Sequence, residues 1–120
     1  MGREVIVSEC DLNESVCEIA LGSDSTLTLS MNPAPAKSLV PLTFSFTADG
    51  FTPESAWIDL QGTTEYMGIN QTPFEYNKGR WRATTELSVC TTGLMVWRAR
   101  LTLNDPSSDS TPIDLHFEAQ

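Results

Sequence analysis

Alternation of apolar and polar residues with a period of two runs through most of this sequence. It recurs in segments 27–31, 42–48, 81–87, 95–103 and 113–117. Successive side chains of a strand point to opposite faces of a sheet, so each segment reads as a strand with one buried face. Helical periodicity is absent throughout. The sequence therefore predicts an all-β protein.

Turn-forming residues separate these segments at regular intervals. Asn77-Lys78-Gly79 stands between two alternating runs, and Gly79 can adopt the positive φ that a three-residue hairpin loop with a bulge requires. Other turn segments are 22–25, 49–50, 91–93 and 104–111. The sequence predicts a hairpin at 77–79.

Roughly seven to nine short strands with a turn about every ten residues indicate a two-sheet antiparallel sandwich of immunoglobulin-like type. A closed barrel is the alternative. The segment 32–41 holds three prolines, which cannot donate to a central ladder, so we expect a crossover or an edge there. The length of 120 residues fits a single domain over 1–120. The bulky apolar residues expected in its core are Phe44, Phe46, Trp57, Trp81, Trp97, Leu101 and Phe117.

Charge and hydropathy limit the classes of partner. The chain carries 7 basic and 16 acidic residues, and its net charge of -9 repels phosphate backbones. We therefore expect no nucleic-acid partner. No apolar run approaches the ~20 residues that span a bilayer, and Met1-Gly2 is not followed by a signal-peptide pattern. We expect the chain itself to be soluble and its targeting signal or anchor to be missing from this sequence.

Three cysteines allow one disulfide and one remaining thiol. Cys10 and Cys17 are the favoured pair, because Asp11 and Asn13 can turn the intervening chain back to the ~5.5 Å Cα separation that a disulfide needs. Cys17 with Cys90 is the rival pairing. A disulfide favours an oxidising compartment outside the cytoplasm, whereas three buried, reduced cysteines remain the alternative.

The residues needed for common enzyme chemistry are missing from the sequence. His116 is its single histidine and lies on a predicted strand between acidic residues, as expected of a solvated face. No nucleophile elbow, phosphate loop or dinucleotide-binding glycine pattern occurs. We expect a protein that is not an enzyme.

Two groups of residues are candidates for binding. Arg80, Arg82, Arg98 and Arg100 are expected on the outward faces of two neighbouring strands, where they either pair with glutamates or form a docking strip for an acidic partner. Cys90, Met67 and Met95 supply thiolate and thioether groups, which favour Cu(I). The period of its strand also suits Met95 as a core residue.

Several short motifs resemble those of bacterial periplasmic domains of the YtkA/FixH-like group. They lie within residues 40–103: Tyr66 to Asn70, Pro73-Phe74, Gly79 to Trp81, Val89-Cys90, and Met95 to Ala99. The resemblance implies an immunoglobulin-like sandwich held at the membrane by an N-terminal segment or lipid. Some members of that group are encoded beside terminal oxidases and copper-delivery proteins, so the resemblance also implies a role in oxidase maturation or copper handling.

Two functions are thus predicted. The first is a non-catalytic periplasmic accessory domain that binds a protein in or at the membrane and assists assembly of an oxidase complex. The alternative is a Cu(I) carrier that uses Cys90 with Met67 or Met95. Neither function requires another cofactor.

Overall fold

Ten β-strands make up the regular structure of the chain in the part that is described. The computed structural model describes residues 5–22, 24–37, 39–64, 70–87, 95–105 and 108–119, with the backbone alone at 105 and 108–111. The strands are β1 (Ile6–Asp11), β2 (Cys17–Ala20), β3 (Thr26–Asn32), β4 (Leu42–Asp49), β5 (Ser55–Gly62), β6 (Gln71–Pro73), β7 (Glu75–Asn77), β8 (Arg80–Thr85), β9 (Met95–Asp105) and β10 (Ser108–Ala119).

The strands form two five-stranded sheets. Sheet A has the order β1-β10-β9-β5-β6, and sheet B has the order β2-β3-β4-β8-β7. Every pairing is antiparallel except that of β1 with β10, which is parallel. The apolar faces of the two sheets enclose one hydrophobic cluster. The chain is therefore an all-β, immunoglobulin-like sandwich, as the alternating pattern predicts. The described residues contain ten strands rather than seven to nine, and β9 and β10 are long, with 11 and 12 residues.

The core consists of the inward members of each alternating strand. Phe44, Trp97 and Phe117 are almost fully buried, and the Phe44 and Phe117 rings approach to 6.2 Å between centroids. Phe46 stacks on Trp81 at 5.6 Å with parallel planes. These contacts confirm six of the seven predicted core residues, which also include Leu101.

Trp57 is the exception, and its prediction as a core residue is wrong. Ala56, Ile58 and Leu60 are the buried residues of β5, so Trp57 points outward and is only half-buried. It lies between Thr102 and Pro73 on the outer face of sheet A. Both faces of β5 carry apolar residues, and the largest of them, Trp57, is on the face toward solvent.

The chain switches sheets between β6 and β7. Residues Gln71–Pro73 pair with β5 in sheet A, whereas Glu75–Asn77 pair with β8 in sheet B. Phe74 lies between them, donates its backbone N–H to the Ala56 carbonyl and packs its ring against Phe46. This buried ring anchors the crossover.

The predicted hairpin is confirmed, with a shorter loop than expected. Asn77 pairs with Arg80, so only Lys78 and Gly79 form the turn. Their φ angles are 52° and 82°. Two consecutive positive φ values match a type I′ turn, whose twist suits a two-residue hairpin.

The proline-rich connection after β3 lies outside the strand ladders, but the expectation that it forms a crossover or an edge is wrong. It joins β3 to β4, which are neighbours in sheet B, and so does not switch sheets. Ala36 donates its backbone N–H to Asn13 Oδ1 at 2.9 Å, and Asn13 Nδ2 donates to the Glu118 carbonyl at 2.8 Å. The Asn13 amide thus connects this segment to the end of β10.

Candidate functional site

The structure joins Cys10 and Cys17 by a disulfide with a Cα separation of 5.8 Å. Asp11 caps the intervening loop by accepting the backbone N–H of Asn13 at 2.9 Å. The pairing agrees with the favoured prediction and leaves Cys17 unavailable to Cys90. Cys10 belongs to sheet A and Cys17 to sheet B, so the bond links the edges of both sheets. A disulfide is compatible with a location outside the cytoplasm.

The predicted copper ligands are only partly described. Cys90 and Met67 lie outside the described residues, and Met95 is buried at the start of β9, opposite Ala119. Burial agrees with a packing role for Met95. Among the described residues, no group of three or more His, Cys, Asp or Glu side chains could hold a metal ion. The Cu(I) site stays a prediction.

The four arginines of the predicted docking strip do not share one surface. Arg80 and Arg82 belong to β8 in sheet B, whereas Arg98 and Arg100 belong to β9 in sheet A. The prediction of neighbouring strands is therefore wrong. Their outward faces are on opposite sides of the sandwich, so any docking strip contains one pair at most.

Arg100 forms an internal ion pair on the outer face of sheet A. Its Nε and Nη2 donate to the two carboxylate oxygens of Asp114 at 2.7 and 2.9 Å. This hydrogen bonding raises the pKa of Arg100, burial lowers it, and the charges of Asp114 and Asp59 raise it further. Asp114, rather than a glutamate, is thus the partner, and Arg100 is not free to dock.

Arg98 is also poorly placed for docking. It lies between His116 of β10 and Gln61 of β5 and is half-buried. Its Nε atom is buried and has no hydrogen-bond partner within the described residues. His116 itself is exposed, as expected for a solvated strand face.

Arg80 and Arg82, by contrast, are exposed on the hairpin of β7 and β8. Residues 75–85, which we term the basic hairpin, contain Lys78, Arg80 and Arg82 with Glu75 as their single acidic residue. Glu75 is opposite Arg82 in register, yet the described residues contain no ion pair between them. The hairpin therefore carries unpaired positive charge on an acidic protein.

An aromatic pair completes the basic hairpin. The Tyr76 ring rests on Trp81 at 4.9 Å between centroids, and Tyr76 remains 60% exposed. β7 is the edge strand of sheet B, so one side of its backbone pairs with no other described strand. Tyrosine, tryptophan and arginine are the residue types that dominate binding energy at protein interfaces. Sequence reasoning did not include Tyr76 or Lys78 in the docking strip, although Tyr76 precedes the predicted turn and Lys78 lies within it.

No helix in the described part of the chain is long and apolar enough to cross a bilayer. No protein-family model matches the sequence, and no curated protein matches it significantly. The resemblance to YtkA/FixH-like domains therefore stays a prediction from the motifs. The basic hairpin, an exposed aromatic and cationic edge of sheet B, is the candidate site that the geometry supports.

Proposed function

We propose that this protein is a non-catalytic, extracytoplasmic binding domain that docks through its basic hairpin on an acidic surface of a membrane-associated partner. The observation that carries the proposal is the exposed pair Arg80 and Arg82, which has no ion-pair partner among the described residues. The exposed ring of Tyr76 lies on the other face of the same hairpin, against Trp81, so the edge of sheet B presents cationic and aromatic groups on its two sides. The sequence resemblance supports a periplasmic location and an oxidase complex as the partner.

Charge distribution favours this edge over the rest of the surface. The whole chain has 16 acidic and 7 basic residues, so long-range repulsion opposes contact between most of its surface and an acidic partner. The basic hairpin reverses that sign locally. An acidic partner is therefore steered to this edge, and association should weaken as salt screens the charges.

The remainder of the hairpin is suited to a stable contact. Trp81 is buried and stacked on Phe46, which fixes the strand that bears both arginines. Tyr76 supplies apolar area with few rotatable bonds. The type I′ turn at Lys78 and Gly79 holds the two strands in register. Little backbone entropy is then lost on binding.

Site-specific photo-crosslinking tests the proposal. A photoreactive phenylalanine analogue replaces Tyr76 in one variant and Val7, which is 63% exposed on β1 of the other sheet, in the matched control. Each protein is irradiated with membranes of the organism that encodes it. We expect a crosslinked product from position 76, reduced by salt and by Arg80→Glu with Arg82→Glu, and none from position 7.

A product that survives both charge reversals, or one that forms equally from position 7, contradicts the proposal. Membranes prepared without the terminal oxidase test the identity of the partner separately. Loss of the product there supports an oxidase complex. An unchanged product assigns the docking role to another membrane protein.

A further inference from the structure

A shallow groove of about 180 Å³ crosses the outer face of sheet B next to the basic hairpin. It lies between two rows of side chains that run across the strands. One row contains Ser30 and Ser45 and ends at Arg82; the other contains Thr28 and Thr47. Extending the strand registers by one residue adds Val16 to the first row and Arg80 to the second. Val16 and Arg80 both line the groove.

Four hydroxyl groups form the floor and walls of this groove. Thr28, Ser30, Ser45 and Thr47 are half-buried, and within the described residues their hydroxyls make no hydrogen bond to the protein. The neighbouring hydroxyls of Thr43 and Thr84, outside the groove, bond to each other at 2.9 Å. A hydroxyl both donates and accepts, so the four free groups can satisfy the N–H and C=O groups of an extended backbone.

The two ends of the groove differ in charge. Arg80 stands at the β8 end, with Arg82 in the next row. Glu18 of β2 is opposite Thr28 at the other end, and Val16 there is 58% exposed. A uniformly anionic polymer would meet Glu18, so the groove favours a ligand with negative charge at one end and an aliphatic group at the other.

The distance across the groove sets the spacing of these two groups. Three interstrand steps separate β2 from β8 in the order β2-β3-β4-β8, which is about 14 Å. An extended peptide covers this distance in about four residues. The acidic and aliphatic side chains of the ligand are therefore about four positions apart.

We propose that the groove binds an extended peptide segment of the partner, with its acidic residue at Arg80 and an aliphatic residue at Val16. The inference rests on the proposed docking function and specifies which part of the partner is recognised. The segment lies across the strands of sheet B, and its backbone bonds to the hydroxyls of Thr28, Ser30, Ser45 and Thr47.

Nuclear magnetic resonance titration with synthetic peptides tests the inference. The probes are capped Gly/Ser peptides that carry one glutamate and one leucine at varied separations, with glutamate-only and leucine-only peptides as controls. We expect shifts of the amide resonances of the groove residues at peptide concentrations of about 5 mM or below. The tightest binding should occur at a separation of about four positions.

Variants then separate groove binding from nonspecific charge attraction. Arg80→Glu should weaken the best peptide about tenfold or more, since a hydrogen-bonded charge pair is lost. Ser45→Ala with Thr47→Val should weaken it several-fold and leave the fold intact, as near-UV circular dichroism will show. Thr43→Val with Thr84→Val removes two hydroxyls from the same face outside the groove and should leave the affinity unchanged.

The inference is overturned if no peptide shifts the groove resonances, if affinity is independent of the separation, or if the two double variants weaken binding equally. Binding of an acidic polysaccharide in preference to the peptides would also overturn it. The crosslink from position 76 can persist in each of these outcomes. A failed groove is thus distinguishable from a failed docking hairpin.

Discussion

The two tryptophans at positions 57 and 97 provide the sharpest test of the strand parities. Trp97 is 1% exposed, and burial of about 150–250 Å² of a tryptophan stabilises a fold by about 4–6 kcal/mol at ~25 cal/mol per Å². Its Nε1 atom has no hydrogen-bond partner within the described residues. The cost of burying this unsatisfied N–H reduces the stabilisation by about 1–3 kcal/mol. We therefore expect Trp97→Ala to lower the free energy of unfolding by about 3–5 kcal/mol.

Trp57→Ala is the matched substitution on the neighbouring strand. Trp57 is half-buried on the outer face of sheet A, so we expect a loss of only about 1–2 kcal/mol. Trp97→Phe keeps most of the buried ring and removes the unpaired N–H, and it should cost less than about 1.5 kcal/mol.

Urea unfolding followed by far-ultraviolet circular dichroism measures all three variants on one scale. The midpoint should shift while the slope of free energy against urea stays constant, because the exposed area on unfolding hardly changes. The assignment of Trp97 to the inner face and Trp57 to the outer face would be refuted by either of two results. One is an equal loss of unfolding free energy in Trp57→Ala and Trp97→Ala; the other is a Trp97→Ala protein within about 1 kcal/mol of the parent.

Two further predictions concern an ion pair and a thiol. Arg100→Gln leaves the carboxylate of Asp114, which is 6% exposed, without its bidentate partner, so it should cost about 2–4 kcal/mol in urea unfolding. Asp114→Asn should cost only about 1–2 kcal/mol, because the Arg100 side chain is 34% exposed and its charge can reach water; equal costs would contradict this account. For copper, we expect Cys90 to react with a thiol reagent in the native protein and Cu(I) to slow that reaction if the predicted ligands act together. Labelling that requires denaturant, or that proceeds equally fast with Cu(I), would remove the carrier function from Cys90, Met67 and Met95.

Local pattern was enough to predict most of the segments that become strands. The turn predicted at 104–111 is an exception, because β9 continues to Asp105 and β10 begins at Ser108. Alternation identified β3, β4, β8, β9 and β10, because one face of each is mainly apolar. Alternation did not identify the buried face of β5, because Trp57 is apolar on one face and Ala56 and Ile58 are apolar on the other. Side-chain size suggested that Trp57 was inside. The smaller residues are the ones that fit between the sheets.

Long-range pairing was beyond the sequence pattern. β8 and β9 are consecutive in the chain, which suggested that their arginines share a surface, yet the two strands belong to different sheets. The Arg100 and Asp114 pair likewise depends on the register of β9 with β10. The Cys10 and Cys17 bond was predictable because only a short turn separates its ends.

The parallel pairing of β1 with β10 determines how the domain carries mechanical load. A pull on the amino end of β1 against the carboxyl end of β10 acts along both strands in opposite directions, so their hydrogen bonds are loaded in shear. Bonds loaded in this way resist together rather than opening one after another. Beyond them, the Cys10–Cys17 bond passes tension directly from sheet A to sheet B and shields residues 11–16 from it. This arrangement of strands and disulfide raises the resistance of the domain to unfolding when force acts between these two ends.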